Sequence, residues 1–361
     1  MRRPDPQLPP VWPERLLQPS RPPRLVYLDL NHWIALAKVD TGHPEGLPFT
    51  PVLHWCRAAV AEGSATFPLS DVHYAELSGI KDPAQRSALA SVMEELSEFN
   101  VLLGRPHIMR LEVEAALDAL LGPTPDPFPP TPLISFGFGH AFGINGRLRA
   151  YDHNGADVTD VLPPAVRARL EEQERSAQRK MLAGPEDDEV DELQAAGWDP
   201  AVARRGAARR AKQEQELIAA LDADEKMRRG RLYDVVAARE VAIELSYMLP
   251  EDLQRRGRSL PEALPTRDAA RRFASAMPST DVAIWRKVAM HRNRQRALRW
   301  SGNDTMDIDA LAVATAYCDV VVTEKDAGQG LKATGLDRRY RTVLLKRLSD
   351  LPAALGSHGA Q

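Results

Sequence analysis

The sequence predicts an α/β fold: a central parallel sheet carrying a large, mainly helical insertion. Short apolar runs alternate with helical segments over residues 24–104, the pattern that builds βαβ units. Strand-like runs return at Val320–Thr323 and Arg341–Leu345. Between them, from Pro163 to about Arg299, nearly everything reads as helix, rich in Ala, Glu, Arg and Gln.

Leu25–Leu30 is short and continuously apolar, as a buried parallel strand is, and runs into a helical segment from His32 to Lys38. Thr50–Glu62 reads as helix and Ala65–Leu69 as the second strand. Ser70 or Asp71 can cap the next helix, which carries Tyr74, Glu76 and Leu77. Pro83–Phe99 is an amphipathic helix, Val101–Leu103 a third strand and His107–Leu121 a further helix. Residues 122–132 hold six prolines in eleven positions, which argues against regular structure there. Leu133–Ile144 is rich in Gly and Phe and matches neither period. The resulting division is a Pro-rich extended tail over 1–23, a core from 24–104 and 281–350, a helical insertion over 105–280, and a tail over 351–361. A long insertion is tolerable because closure entropy grows slowly with loop length.

Composition narrows the class. Among 361 residues, 43% are hydrophobic and 27% charged, as in ordinary globular proteins. The formal net charge of -3 leaves any attraction to nucleic acid to local patches. Cys56 and Cys318 have neither metal-site spacing nor the number for a disulfide framework. No apolar run reaches the ~18 residues of a membrane span, and the first residues lack a signal peptide's apolar core. The expectation is a cytoplasmic protein with no membrane partner.

Acids are delivered to strand ends and helix starts from three separated places. Asp29 ends the first strand, with Asn31 two positions on. Glu76 follows the second. Asp304, Asp307 and Asp309 crowd the start of an apolar helix, and Thr323, Glu324 and Asp326 close the strand after it. A lone Asp at such a junction is commonly a cap, and one acid suits a helix dipole. Three exceed what capping needs. Like charges gathered at one rim call for a cation, and oxygen donors without a His or Cys pattern favour Mg²⁺ or Mn²⁺.

LVYLDLNHWIAL resembles the first strand and helix of PIN-domain nucleases, an apolar strand ending in Asp. FPLSDVHYAEL is similar to their second motif, in which a Ser or Thr segment precedes Glu-Leu. DIDALAVATAYCDVVVTEKD is similar to their third, an Asp, an Ala-rich helix and a strand ending in Thr. The resemblance covers residues 24–104 and 300–350. It implies a three-layer α/β/α sandwich and metal-dependent hydrolysis of phosphodiester bonds, usually of RNA, single-stranded RNA being the expected partner. It assigns metal-ligating and catalytic roles to Asp29, Glu76 and Asp307, with Asp309 as the alternate to Asp307, and leaves the fourth carboxylate to Asp326 or Glu324. Asn31, Asp304, Thr323 and Glu324 are supporting residues. Lys325 departs from the pattern, standing where the family commonly has an Asp.

Arg286–Arg299 carries six Lys/Arg and no acid and leads into the acidic segment. Arg286, Arg292, Arg294 and Arg296 are therefore candidate contacts to phosphates; a solvated helix is the plain alternative. Arg204–Lys212 and Lys226–Arg231 lie among acids and read as solvated helix. His32, His73 and His291 are assigned to packing. A P-loop is excluded because Gly-Lys-Ser/Thr is missing after Thr323. Two other readings stand beside the nuclease: a binding or scaffold protein of the same fold without activity, for which Lys325 speaks, and a phosphatase of the haloacid-dehalogenase type, against which Asn31 stands in the second-Asp position. A homo-oligomer and a protein inhibitor stay open as further partners.

Overall fold

The computed structural model describes residues 9–144, 146–197, 199, 201–293 and 297–356. It is mixed α/β, about 64% helical, with parallel strand pairs, the class that the alternation predicts. The chain forms two compact units. The first takes residues 19–104, 133–200 and 347–361; the second takes residues 1–18, 105–132 and 201–346. These limits run differently from a cut at 105 and 280, because residues 133–200 belong with the first strands.

In the first unit, β1 (Arg24–Leu28) is buried from Leu25 onward. Asp29 keeps an extended backbone (φ -65, ψ 153) and α1 (Leu30–Asp40) starts directly behind it, so the strand stops short of Leu30. α2 (Thr50–Ala61), with Pro51 in its first turn, where a missing N–H costs nothing, returns the chain to β2 (Ala65–Thr66). β1 and β2 are parallel, pairing Arg24 with Ala65 and Leu25 with Thr66. The expected strand to Leu69 is broken up: Leu69 instead bridges to β3 (Asn100–Leu102), its N–H donating to Asn100 O at 2.9 Å and its carbonyl accepting from Leu102 at 2.8 Å.

α3 (Asp71–Leu77) and α4 (Pro83–Ser97) fill the connection. Glu98 and Phe99 then take left-handed backbones (φ 50 and 58) that turn the chain sharply into β3. The Gly- and Phe-rich stretch resolves into β4 (Ile134–Phe136), antiparallel to β3. Its phenylalanines pack on earlier elements, Phe136 edge-on to Phe99 and Phe138 4.4 Å from Tyr74. The helix Pro164–Ala183 lies on α4, where Arg179 pairs with Glu94. Arg86 clasps the end of that helix. Its guanidinium donates to the carbonyls of Ile80, Lys81, Ala183 and Pro185. Part of the expected C-terminal tail is a short helix, Leu351–Gly356, because Leu351 buries itself against α2; residues 357–361 lie outside the described residues.

The second unit is built on α5 (Arg105–Leu121), α6 (Val202–Ala223), α7 (Leu232–Ile243), α8 (Met248–Arg255), α9 (Arg267–Ala276), α10 (Pro278–Arg292) and α11 (Gly302–Tyr317). α10 is buried on every side from Pro278 to Val288, so it is a core element with neighbours all round. After α11 come β5 (Val320–Val322), α12 (Lys325–Thr334) and β6 (Val343–Leu345), with β5 and β6 parallel and Val321 opposite Leu344.

Residues 9–18 correct the expectation of a bare extended tail. Trp12 sits edge-on to Tyr317 at 5.6 Å and to Tyr340 at 6.1 Å, and Leu16–Leu17 pairs with Thr131–Pro132. Two apolar side chains with surface to bury outweigh the extended preference of the prolines. The same pairing gives the Pro-rich 122–132 stretch one regular piece. Thr131 donates to Arg15 O there, and Pro132 needs no donor at an edge.

Among the described residues, no helix is long and apolar enough to cross a membrane. Phe67 has no exposed surface, so Phe67→Ala should cost about 3–5 kcal/mol and lower the melting temperature by several degrees. Val161→Ala, at a position 79% exposed, should leave it unchanged in the same calorimetric scan.

Candidate functional site

Asp29 occupies the N-cap position of α1, yet its side chain accepts no hydrogen bond from that helix's amides. The commonest structural use of an Asp at this position is therefore absent. Asn31, two residues on, is exposed at the helix start. Glu76 is half-buried in α3. What ties these segments together within the first unit is His73. Its Nδ1 accepts the Ser70 backbone N–H at 3.1 Å, and Ser70 caps α3, so the pair forms a capping box with His73 where Glu or Gln usually stands. Its Nε2 lies 2.9 Å from Leu28 O.

An acceptor at Nδ1 requires the proton at Nε2, so the imidazole is neutral and donates to the last residue of β1. The ring stacks on Tyr27 at 5.2 Å and has no exposed surface. Burial pulls its pKa down from 6.5 to about 4, the bond to Leu28 opposing. Sequence reasoning gave this histidine to packing. The Ser70-x-x-His73 spacing was the available signal for more.

The second unit holds the remaining acids. Asp304 is spent on capping, its carboxylate accepting the Ser301 N–H at 2.8 Å and the Ser301 hydroxyl at 2.7 Å. Asp307 and Asp309 share α11 two positions apart, about 200° around a helix, so they leave from opposite faces. Asp309 faces inward. Arg105 donates to it at 2.6 Å, and Arg210 grips both of its oxygens. Burial alone would raise its pKa, but the two arginines hold the carboxyl far below the ordinary range. Its charge is matched without a metal. Asp307 is half-buried on the other face. Thr323 is buried, with its N–H bonded to Leu345 O at 3.1 Å. Glu324 occupies the N-cap position of α12 without a side-chain capping bond, and Lys325 and Asp326 follow, all three exposed.

Asp309 belongs to a larger buried ion network. Glu240, 1% exposed, is bonded by Arg105 and by Lys287, the latter at 2.6 Å. Lys287 also reaches Glu214 at 3.2 Å and Glu244 at 3.6 Å, and Glu214 accepts from His291 at 2.8 Å. Arg210 bridges Asp309 and Glu244. Burial opposes ionisation of Glu240 and Glu214, yet the surrounding cations win and hold both carboxyls low, Glu214 at about 2. Five helices, α5, α6, α7, α10 and α11, are fixed to one another by these groups.

The network changes the reading of Arg286–Arg299. Lys287 is consumed in it, and Arg286 is buried, its Nη1 3.4 Å from Ala327 O in α12. Arg286 therefore faces the protein, which corrects its assignment to phosphate contact. Arg292 is exposed, with its guanidinium 5.8 Å from the Trp285 ring. Arg294 and Arg296 lie outside the described residues.

Asp29 and Glu76 thus sit in the first unit, and Asp307 and Asp326 in the second. Among the described residues, no three His, Cys, Asp or Glu side chains are grouped so as to hold a metal ion. No protein-family model matches the chain, and no curated protein or solved structure matches it significantly.

Two outcomes follow from this geometry. Glu240→Ala removes the buried carboxylate that Arg105 and Lys287 share, leaving Arg105 to Asp309 and Lys287 to Glu214 and Glu244, so it should destabilise the protein by up to about 3–5 kcal/mol in denaturant unfolding. His73 links stability to pH. Below 6.5 the unfolded chain protonates it, while the folded protein resists until about 4. Stability should therefore fall as pH drops through that window, by on the order of 3 kcal/mol, and His73→Gln should flatten the dependence in pH-resolved melts.

Proposed function

We propose that this protein is a Mg²⁺- or Mn²⁺-dependent ribonuclease with a PIN-like α/β/α core, using Asp29, Glu76, Asp307 and Asp326 as its carboxylates. The observation that carries the reading is the place of Asp29: an acid directly after a buried parallel strand, at its carboxyl end and at the start of α1. Ligand sites of open α/β sheets lie at that end of their strands. Glu76 supports it, because α3 is bonded through His73 to the carbonyl just before Asp29. Asp307 supports it from the second unit, half-buried on the face of α11 opposite the one that Asp309 turns to the ion network.

Carboxylate oxygens suit hard divalent ions, and the set includes no thiolate or imidazole that would favour zinc. Such an ion supplies a water made nucleophilic near neutral pH and neutralises charge at the phosphate. The chain's own part is to hold the carboxylates ionised and aimed. Thr323, just past β5, is buried and supports the site from behind, its N–H fixing the strand end to Leu345 O. Arg292 and Arg299 are exposed described cations of the basic segment available to a polynucleotide backbone. Single-stranded RNA is the substrate of this reading, since phosphate contacts position a strand without demanding a duplex.

A binding protein that does not cut is the second reading, favoured by Lys325 exposed at the start of α12 in place of an acid. The test is cleavage of a labelled single-stranded RNA with Mn²⁺, Mg²⁺ or EDTA. Cleavage should need the ion, and Asp29→Asn and Asp307→Asn should each reduce it at least a hundredfold while the melting temperature holds. RNA binding without metal-dependent cleavage would establish the second reading.

A further inference from the structure

We infer that His73 is a positioning residue that sets Asp29 against Glu76 in the proposed carboxylate site, on which this inference rests. The argument is geometric. His73 Nε2 bonds the carbonyl of Leu28, and Asp29 is the next residue along the chain. His73 Nδ1 bonds Ser70 N–H at the head of α3, and Glu76 is three positions further on the same helix, on the face that His73 occupies. One neutral imidazole therefore fastens the strand end that presents Asp29 to the helix that presents Glu76.

The donor and acceptor roles admit one tautomer, so the ring can sit in one way only. Tyr27 stacked on it and Trp33 set edge-on at 6.3 Å hold it there. Burial requires the Nε2–H to find an acceptor, and the acceptor it finds is a main-chain carbonyl of another element. The second bond, to a strand carbonyl 45 residues away in sequence, spans the two acid-bearing segments. Side chains that hold metal-ligating groups from behind commonly change metal affinity 10- to 100-fold when lost.

The experiment uses the full chain and Mn²⁺ alone, with affinity read by titration calorimetry and stability by thermal unfolding. His73→Phe keeps the ring and its stack on Tyr27 but loses both bonds. It should weaken Mn²⁺ binding at least tenfold. His73→Gln, which can accept from Ser70 and donate to Leu28 O, should recover most of that loss. Should His73→Phe fail to fold, His73→Asn takes its place, since it can cap α3 but is too short to reach Leu28 O. Phe67→Ala serves as the destabilised control and should leave the affinity unchanged.

Equal Mn²⁺ affinity in the wild type, His73→Phe and His73→Asn would overturn the inference while leaving the carboxylate site standing. So would a loss in His73→Phe matched by the Phe67→Ala control. A wild type that takes up no Mn²⁺, or an Asp29→Asn variant that binds as tightly as the wild type, would instead remove the reading beneath it, and the inference with it.

Discussion

Glu240 lies almost wholly out of water between Arg105 and Lys287, and the second unit depends on that charge being met from both sides. A buried carboxylate with one partner missing costs several kcal/mol. Helices drawn from residues 105–121, 202–223, 232–243, 278–292 and 302–317 must therefore arrive in one arrangement or leave a charge stranded. Apolar packing alone would accept small slips of one helix along another. Interlocked ion pairs do not, because a slip of one turn parts donors from acceptors by about 5 Å. This is the best physical account of why α11 presents Asp307 away from the network: its other face is bolted down through Asp309.

The first unit solves a related problem with neutral groups. His73, Arg86 and the Leu69 bridge each bond backbone carbonyls or amides that β-pairing leaves unserved. Strands of two, three and five residues are too short to hold a unit together by their own ladders. Side chains reaching to the main chain replace the missing length.

Much of the architecture was legible in the sequence, and the limits of that legibility have physical causes. The apolar run before Asp29 and the Ala-rich run after Asp307 announced their elements because burial imposes an unbroken pattern. Leu133–Ile144 did not, since an antiparallel edge of three residues leaves too little periodicity to read. The packing of Trp12 and Leu16 was hidden because prolines dominate the local signal while the partners lie hundreds of residues away. For the acids, sequence supplied the positions and not the assignments. Asp307 and Asp309 look equivalent on paper; three-dimensional neighbours separate them, Arg105 and Arg210 claiming one. Likewise the uncancelled charge of Arg286–Arg299 was cancelled for Lys287 by glutamates from two other helices.

The way the chain is shared between the units bears on how it is made. The first unit is completed only by residues from 347 onward, and the second needs residues from before 18 as well as up to 346. Synthesis from the N-terminus ordinarily lets an early domain fold while a later one is still emerging. Here the first unit has its strands by Phe136 but lacks its last helix, Leu351–Gly356, until the second unit's segments have been made. Partners far apart in sequence also slow the search for the native arrangement. Trp12 must therefore wait until Tyr317 and Tyr340 have been made before it meets the rings it packs against, so the two units cannot be finished one after the other in chain order.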